Sequence, residues 1–290
     1  MALQHIFLKP ESFYASFPLN NIVYDIGSGS SSASLVVYSY EKGNLALTLE
    51  VKAVGFDPTL GGLEIDKRLQ KHLAEIFLKK NPKVKAEVLH GNVRAMARLL
   101  KEAKKVKEIL SANDETFASL ETLVDDYDLK TKVTRAELEA LCGDLKERVI
   151  APLKKVLAEA NVTLDGIQSV ILFGGGSRVP FIFDAITKFA GEAKISREVD
   201  RDESAVMGGV YWAAYLNRQL ARRTTRKIFI KELNLFDVQM KYASKEKGGK
   251  QKILFSENAS RKKKIYTVKD AIDVPSVSLS YDKSVLKKDP

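Results

Sequence analysis

The chain has 290 residues, of which 45% are hydrophobic and 29% charged, enough to bury a sizeable core and to form roughly two domains. No apolar run approaches the ~18 residues of a membrane span, so membrane insertion is not expected, and the single cysteine, Cys142, excludes an internal disulfide framework or a zinc ribbon. The formal net charge of +10 comes from the end of the chain: residues 1–221 carry 29 Lys and Arg against 29 Asp and Glu, and residues 222–290 carry 18 against 8. A basic main domain is therefore excluded, and a composition boundary falls near "ARRTTRK".

In chain order, "MALQHIFLKPESFYASFP" lacks the charged start, long apolar stretch and small-residue cleavage site of a signal peptide. "NIVYDIG" and "SASLVVYSY" then read as a strand pair around a turn of Gly and Ser, and "NLALTLEVKAVGF" as a third alternating strand. Apolar residues at Leu63, Ile65, Leu69, Leu73, Ile76 and Phe77 mark a helix that stops before Pro82. A second, long helix runs through "NVRAMARLLKEAKKVKEILSAN". A third opens at Thr134, whose Glu137 three residues on makes a capping box, and Pro152 is expected to separate it from "PLKKVLAEA". "SVILF" is a short buried strand entering "GGGSRVP", followed by the helix "FIFDAITKFAG". "RDESAVMGGVYWAAYLNRQLARR" closes an α/β domain near residue 220 as another helix, with Asp202 and Glu203 in its first turn. After it, "TTRKIFIKELNLFDVQMKY" and "KILFSENASRKKKIYTVKDAI" alternate as strands around the turn "SKEKGGKQ". The three histidines, His5, His72 and His90, are too far apart in sequence for the usual metal-ligand spacings.

The turns carry the chemistry. Backbone N–H groups of a Gly/Ser turn can converge on a phosphate, because glycine has no Cβ to hold the anion away. Asp25, at the end of the preceding strand, stands where a magnesium ion beside those phosphates would be held, directly or through water. The turn is neither a P-loop nor a Rossmann fingerprint: no G-x-x-x-x-G-K-[ST] occurs, and the turn leads into a strand and not a helix. A serine-rich hairpin without a ligand is the competing reading. In "VILFGGGSRVP" three glycines let the chain pass close to a flat ligand, and Arg178 offers a guanidinium that can stack on a purine; the plainer alternative is a tight strand-to-helix connection in which Arg178 caps or pairs. With "TLGGLEI" as a third glycine turn, a nucleotide cleft is the favoured reading.

"NIVYDIGSGSSSASLVVY", "VGFDPTLGGLEIDKRL", "VTRAELEALCGDL", "SVILFGGGSRVPFI" and "RDESAVMGGVYWAA" occur in the order of the second lobe of the ATPase domain in the heat shock protein 70 family. The resemblance covers about residues 20–222, and within the family the helix at 92–113 and the Gly-Ser-Gly-Ser turn look closest to the large endoplasmic-reticulum branch, the 170-kDa glucose-regulated type. It implies an α/β, actin-like (ribonuclease H-like) ATPase lobe over 20–222, a linker over 223–232, and over 233–290 a short incomplete β-sandwich segment, the start of the peptide-binding domain; residues 1–19 match none of it. The implied ligands are ATP or ADP with Mg. Gly27, Ser28, Gly29 and Ser30 would surround the β- and γ-phosphates, with Asp25 near the metal and Gly62 beside the phosphates. Lys107 and Ser111 would contact adenine and ribose, Gly175, Gly176 and Arg178 would line the adenosine pocket, and Asp202 would close it.

The same resemblance implies a chaperone and nucleotide exchange factor of the endoplasmic-reticulum lumen, whose partners are unfolded polypeptides and another chaperone of the family, with no nucleic acid. Three departures bear on activity. Ser30 stands in place of a Thr, Ser32 in place of an acid that helps organise metal and attacking water, and Lys104 and Glu108 exchange the charges of the nucleobase helix, so hydrolysis is doubtful and no catalytic residue is assigned. The family's first lobe would precede the stretch where this sequence begins. The sequence is therefore expected to be a partial chain holding one wall of the cleft, with a micromolar site weakened to about millimolar if that wall supplies half of roughly 8 kcal/mol. The alternative is a non-enzymatic protein-interaction fragment with little or no ATP binding. "SRKKKIY" reads as a solvated basic run and not a nucleic-acid patch, and two N-x-[ST] sequons, at Asn161 and Asn258, suit a lumenal protein.

Overall fold

The computed structural model describes residues 18–41, 46–196, 199–217, 227–236, 238–242, 250–255 and 277–281. The core is a six-stranded mixed sheet of order β7-β6-β1-β2-β3-β8. Strands β1 (Leu19–Ile26), β2 (Ser31–Glu41) and β3 (Ala46–Asp57) form an antiparallel meander. Strand β6 (Ser169–Phe173) runs parallel to β1, β7 (Ile195–Ser196) parallel to β6, and β8 (Lys227–Lys231) parallel to β3. This α/β arrangement agrees with the fold class expected from the sequence.

Both faces of the sheet are covered, so β1 reads as an almost unbroken apolar run. Ile22, Tyr24 and Ile26 join one core cluster with Leu35, Ala53, Val149, Leu153 and Ile182, and Val23 joins the other with Tyr38, Leu47, Leu49, Ile171 and Phe173. A bulge changes the parity of β3. Leu35 pairs with Ala53 but Val36 with Val51, leaving Lys52 as the extra, exposed residue. Leu47 and Leu49 accordingly face the second cluster, while Ala53, an even number of residues further along, faces the first.

Helices α1 (Gly62–Lys80), α2 (Ala86–Gly91) and α3 (Val93–Leu110) follow, then the hairpin β4 (Glu115–Val124) and β5 (Tyr127–Thr134). The hairpin answers to no element expected from the sequence. Its inward residues, Ala118, Leu129 and Val133, are buried, and Arg98 of α3 donates to the carbonyls of Glu121 (2.5 Å) and Thr122 (2.7 Å). The capping box at Thr134 and Glu137 is present and opens α4 (Arg135–Leu141).

The expected break at Pro152 is not where the chain breaks. It turns at Cys142–Asp144, and Pro152 lies inside α5 (Leu145–Ala160). Two features accommodate it. The Tyr24 hydroxyl donates to the Val149 carbonyl at 2.7 Å, within the turn whose ladder the proline interrupts, and Gly55 of β3 leaves room for the displaced backbone, since a Cβ there would meet the Pro152 carbonyl oxygen at 2.5 Å. Helices α6 (Pro180–Ala190) and α7 (Ser204–Leu216) complete the lobe, with Trp212 and Tyr215 of α7 packed on the second cluster.

The stretch expected as a linker, 223–232, contains β8, an edge strand of the main sheet that buries Ile228 in the second cluster. Beyond it, β9 (Val238–Tyr242) pairs with both β10 (Lys250–Phe255) and β11 (Val277–Tyr281), giving the strand-rich tail expected there. Phe236 touches Phe56 of β3 edge-on and Tyr281 of β11 likewise. The run "SRKKKIY" and Asn258 lie outside the described residues. No described helix is long and apolar enough to cross a membrane.

Candidate functional site

Three glycine turns meet at the top of the sheet because their backbones touch. The β1–β2 turn is closed by the Gly27 amide donating to the Ser30 carbonyl at 3.0 Å. The start of α1 docks on it: the Gly62 amide donates to the Gly27 carbonyl (3.0 Å) and the Leu63 amide to the Ser28 carbonyl (2.7 Å). Such an approach excludes a side chain at Gly61, whose Cβ would stand 2.4 Å from the Ser28 oxygen. On the other side, Gly174 has φ +75° and ψ 150°, a region essentially reserved for glycine, and a Cβ there would lie 2.3 Å from the Ile26 carbonyl oxygen and 2.6 Å from Asp25 Oδ1.

The resulting cleft encloses about 770 Å³. Gly27, Ser28, Gly62, Lys107, Ser111, Gly175, Gly176 and Arg178, eight of the twelve residues singled out from the sequence, line it. Asp25, Gly29, Ser30 and Asp202 are not among its lining residues. Helix α3 supplies the facing wall, with Ala97, Leu100, Lys101, Lys104, Lys107, Glu108 and Ser111 on one stripe at helical spacing. Its opposite stripe, Ala95, Leu99, Ala103, Val106 and Leu110, is buried in the core.

The electrostatics are mainly positive. Lys101, Lys104, Lys107 and Arg178 face the cleft against two acids, Asp66 and Glu108. Lys107 lies 2.8 Å from Asp66 Oδ1 and donates to the Gly62 carbonyl at 3.2 Å, so Gly62 contributes a carbonyl and space to the cleft, while its amide is engaged by Gly27. Burial pushes the Asp66 carboxyl above its ordinary range, although Lys107 pulls it down. Lys104 and Glu108, whose charges are exchanged relative to the family pattern, still face each other at 3.9 Å. Arg178, half-exposed, is ion-paired with Asp202. Asp202 precedes α7 in a turn that Asp200 caps by accepting from the Asp202 and Glu203 amides at 2.7 and 3.1 Å. That turn is tied back to the glycine loop by the Gly174 amide on the Arg201 carbonyl and by Arg201 on the Ser177 carbonyl.

Asp25 is half-buried, and burial pushes its carboxyl above the ordinary range. Ser32, the position that departs from the family's acid, stands directly opposite it across the hairpin. Among the described residues no group of three or more His, Cys, Asp and Glu side chains is placed to hold a metal ion, so a magnesium ion near Asp25 would draw much of its shell from phosphate oxygens and water. Leu63, Asp66, Ala97, Leu100, Lys101 and Val179 were not expected from the sequence, and Gly61 and Gly174 were read only as members of glycine turns. The α3 members could have been found by extending Lys107 and Ser111 back along the helix by three and four residues.

A family model described as Hsp70 protein matches residues 18–278. The chain belongs to the heat shock protein 70 family. It is 43% identical over 227 residues to hypoxia up-regulated protein 1 of Danio rerio, covering 77% of this chain and 23% of that protein. It is 44% identical over 202 residues to the Mus musculus protein of the same name, covering 69% and 20%. To the Xenopus laevis one it is 39% identical over 274 residues, covering 90% and 42%. Within the family the similarity supports the large endoplasmic-reticulum branch, and this Hsp70-family chain spans between about a fifth and two fifths of the relatives' length.

Proposed function

We propose that the cleft is the adenine-nucleotide site of an ATP-binding chaperone and nucleotide exchange factor of the endoplasmic-reticulum lumen. The observation that carries this reading is the convergence of three glycine turns, with Gly175 open to the cleft, and four cationic side chains on one cleft of about 770 Å³. A polyphosphate needs both features, close backbone approach and positive charge. ATP or ADP would lie between the glycine turns and α3, with Lys107 and Ser111 toward the nucleoside, Arg178 over the base, and Mg held near Asp25. Gly29 and Ser30, the second half of the β1–β2 turn, and Asp202, through its pair with Arg178, act around that ligand. Hydrolysis is not part of the proposal, because Asp25 has Ser32 and not a second carboxylate opposite it. The strand-rich tail is read as the start of a segment that holds unfolded polypeptides. Displacement of a fluorescent ADP analogue by unlabelled ADP tests the site: saturable displacement is expected, and an analogue that does not bind at all sinks the reading.

A second reading, protein contact without nucleotide, is favoured by one observation. Helix α7 turns Val206, Val210 and Leu216 outward, an apolar surface next to the loop that carries Asp202. If the chain speeds ADP release from another chaperone of the family while binding no ADP itself, this reading replaces the first.

A further inference from the structure

Asp66 is a buried acid in the wall of the cleft that the proposed nucleotide contacts do not use. It sits in the first turns of α1, its side chain is only 7% exposed, and it lies 2.8 Å from the ammonium of Lys107, itself 12% exposed. The three charged groups that bear on it, Lys107, Lys104 and Glu108, all project from α3. Although close, the pair is poorly directed: Asp66 Oδ1 receives no well-aligned hydrogen bond, while the ammonium donates to the Gly62 carbonyl at 3.2 Å.

A buried ion pair of this kind is weak evidence for stability, since desolvation of both charges offsets much of their attraction. What it does accomplish is geometric. Lysine carries its charge on a flexible four-carbon stem that loses rotamer freedom when the head group is fixed. Here the head group of an α3 residue is anchored on two α1 groups, the Asp66 carboxylate and the Gly62 carbonyl. The fit is close, since a Cβ on Gly62 would lie 3.0 Å from Nζ. Fixing a binding group before the ligand arrives removes ordering cost from the binding step.

We propose that Asp66 is a positioning residue that holds the Lys107 ammonium at the edge of the cleft, so that the bound nucleotide meets a cation already in place. The inference rests on the nucleotide reading of the cleft. It is tested by calorimetric titration of the 290-residue chain with Mg-ADP, for the wild type, Asp66→Asn, Lys107→Gln and the double variant. Each single substitution is expected to weaken binding about tenfold, or about 1.4 kcal/mol, and the double variant to bind no more weakly than Lys107→Gln alone. Wild-type affinity in Asp66→Asn, or losses that multiply in the double variant, overturns the proposal.

The pH profile separates positioning from general loss of structure. The ratio of wild-type to Asp66→Asn affinity shrinks toward acid as the carboxyl takes up a proton, whereas a structural defect gives a constant ratio. A ligand-free measurement stands apart from the nucleotide reading. Nitrogen NMR of the lysine side chains should show the Lys107 ammonium resolved from solvent-exposed lysines in the wild type and merged with them in Asp66→Asn. If the wild type binds no Mg-ADP the nucleotide reading falls, and this spectrum alone decides the positioning. A Lys107 signal merged in both proteins refutes it.

Discussion

Adjacent glycines in the β6–α6 loop are predicted to differ sharply in what they tolerate. Gly174 combines φ +75° and ψ 150° with a site where a Cβ would stand 2.3 Å from the Ile26 carbonyl oxygen and 2.7 Å from its carbon. The conformation costs an L-residue about 1–3 kcal/mol, and a contact with β1 backbone, which cannot rotate away like a side chain, adds about 1–3 kcal/mol. Gly174→Ala is therefore expected to lose about 3 kcal/mol, which in a domain of this size lowers the melting temperature by about 6–12 °C. At Gly175 no atom lies within 4 Å of a Cβ and φ is not positive, so Gly175→Ala is expected to change stability by less than about 1 kcal/mol. Its methyl would instead enter the cleft. Thermal denaturation of the two variants, followed by far-ultraviolet circular dichroism, makes the comparison. Equal melting temperatures would refute the argument that Gly174 is required by the contact of the loop with the end of β1.

Burial pushes Asp57 up, but two bonds from Arg148 at 2.9 and 3.0 Å, and others from Thr59, outweigh it and hold its carboxyl below the usual range. Stability from this clamp is thus present above the unfolded value near 3.9 and lost as pH falls through the lower folded value. Asp57→Asn should cost about 2 kcal/mol in urea denaturation at pH 7 and converge with the wild type in strong acid; a constant difference across pH would contradict the assignment. Asp25 is the opposite case: its carboxyl is raised by burial and has no partner side chain among the described residues, so its penalty is absent below the unfolded value and grows as pH rises through the folded one. Asp25→Asn should raise the ligand-free melting temperature at pH 7 by about 1–3 °C; a fall would show that the carboxylate has a stabilising partner. Ser32→Asp puts a second acid directly across from Asp25. It should lower the melting temperature by about 2–4 °C without metal and recover it in excess Mg²⁺, and recovery by Na⁺ at equal ionic strength would rule out a metal site.

Much of the lobe is legible in the sequence, because its elements announce themselves locally. The meander β1–β3 shows in β-branched runs broken by Gly and Ser, α4 in its capping box, and the glycine turns in their spacing. What escaped depends on partners distant in the chain. The β4–β5 hairpin does alternate, most clearly in "YDLKTKVT", but its seating comes from Arg98 on α3, a contact that no local pattern shows. Pro152 reads as a helix end, yet the helix continues because Gly55 and Tyr24, about 97 and 128 positions away in the chain, accommodate it. The same holds at the site. Gly62 was legible as a glycine by the cleft, but not that its amide is spent on Gly27; Asp66 looks like one more charge on an amphipathic helix until α3 is packed against it. Arg178 was open to two readings, and the structure shows it paired with Asp202.

Calorimetric titration of the 290-residue chain with Mg-ATP, beside Arg178→Ala, decides whether this cleft takes an adenine nucleotide. Saturable binding with a Kd of about 0.1–1 mM, weakened at least tenfold by the substitution, is the predicted result. No heat up to several millimolar, or binding that Arg178→Ala leaves unchanged, would contradict the assignment.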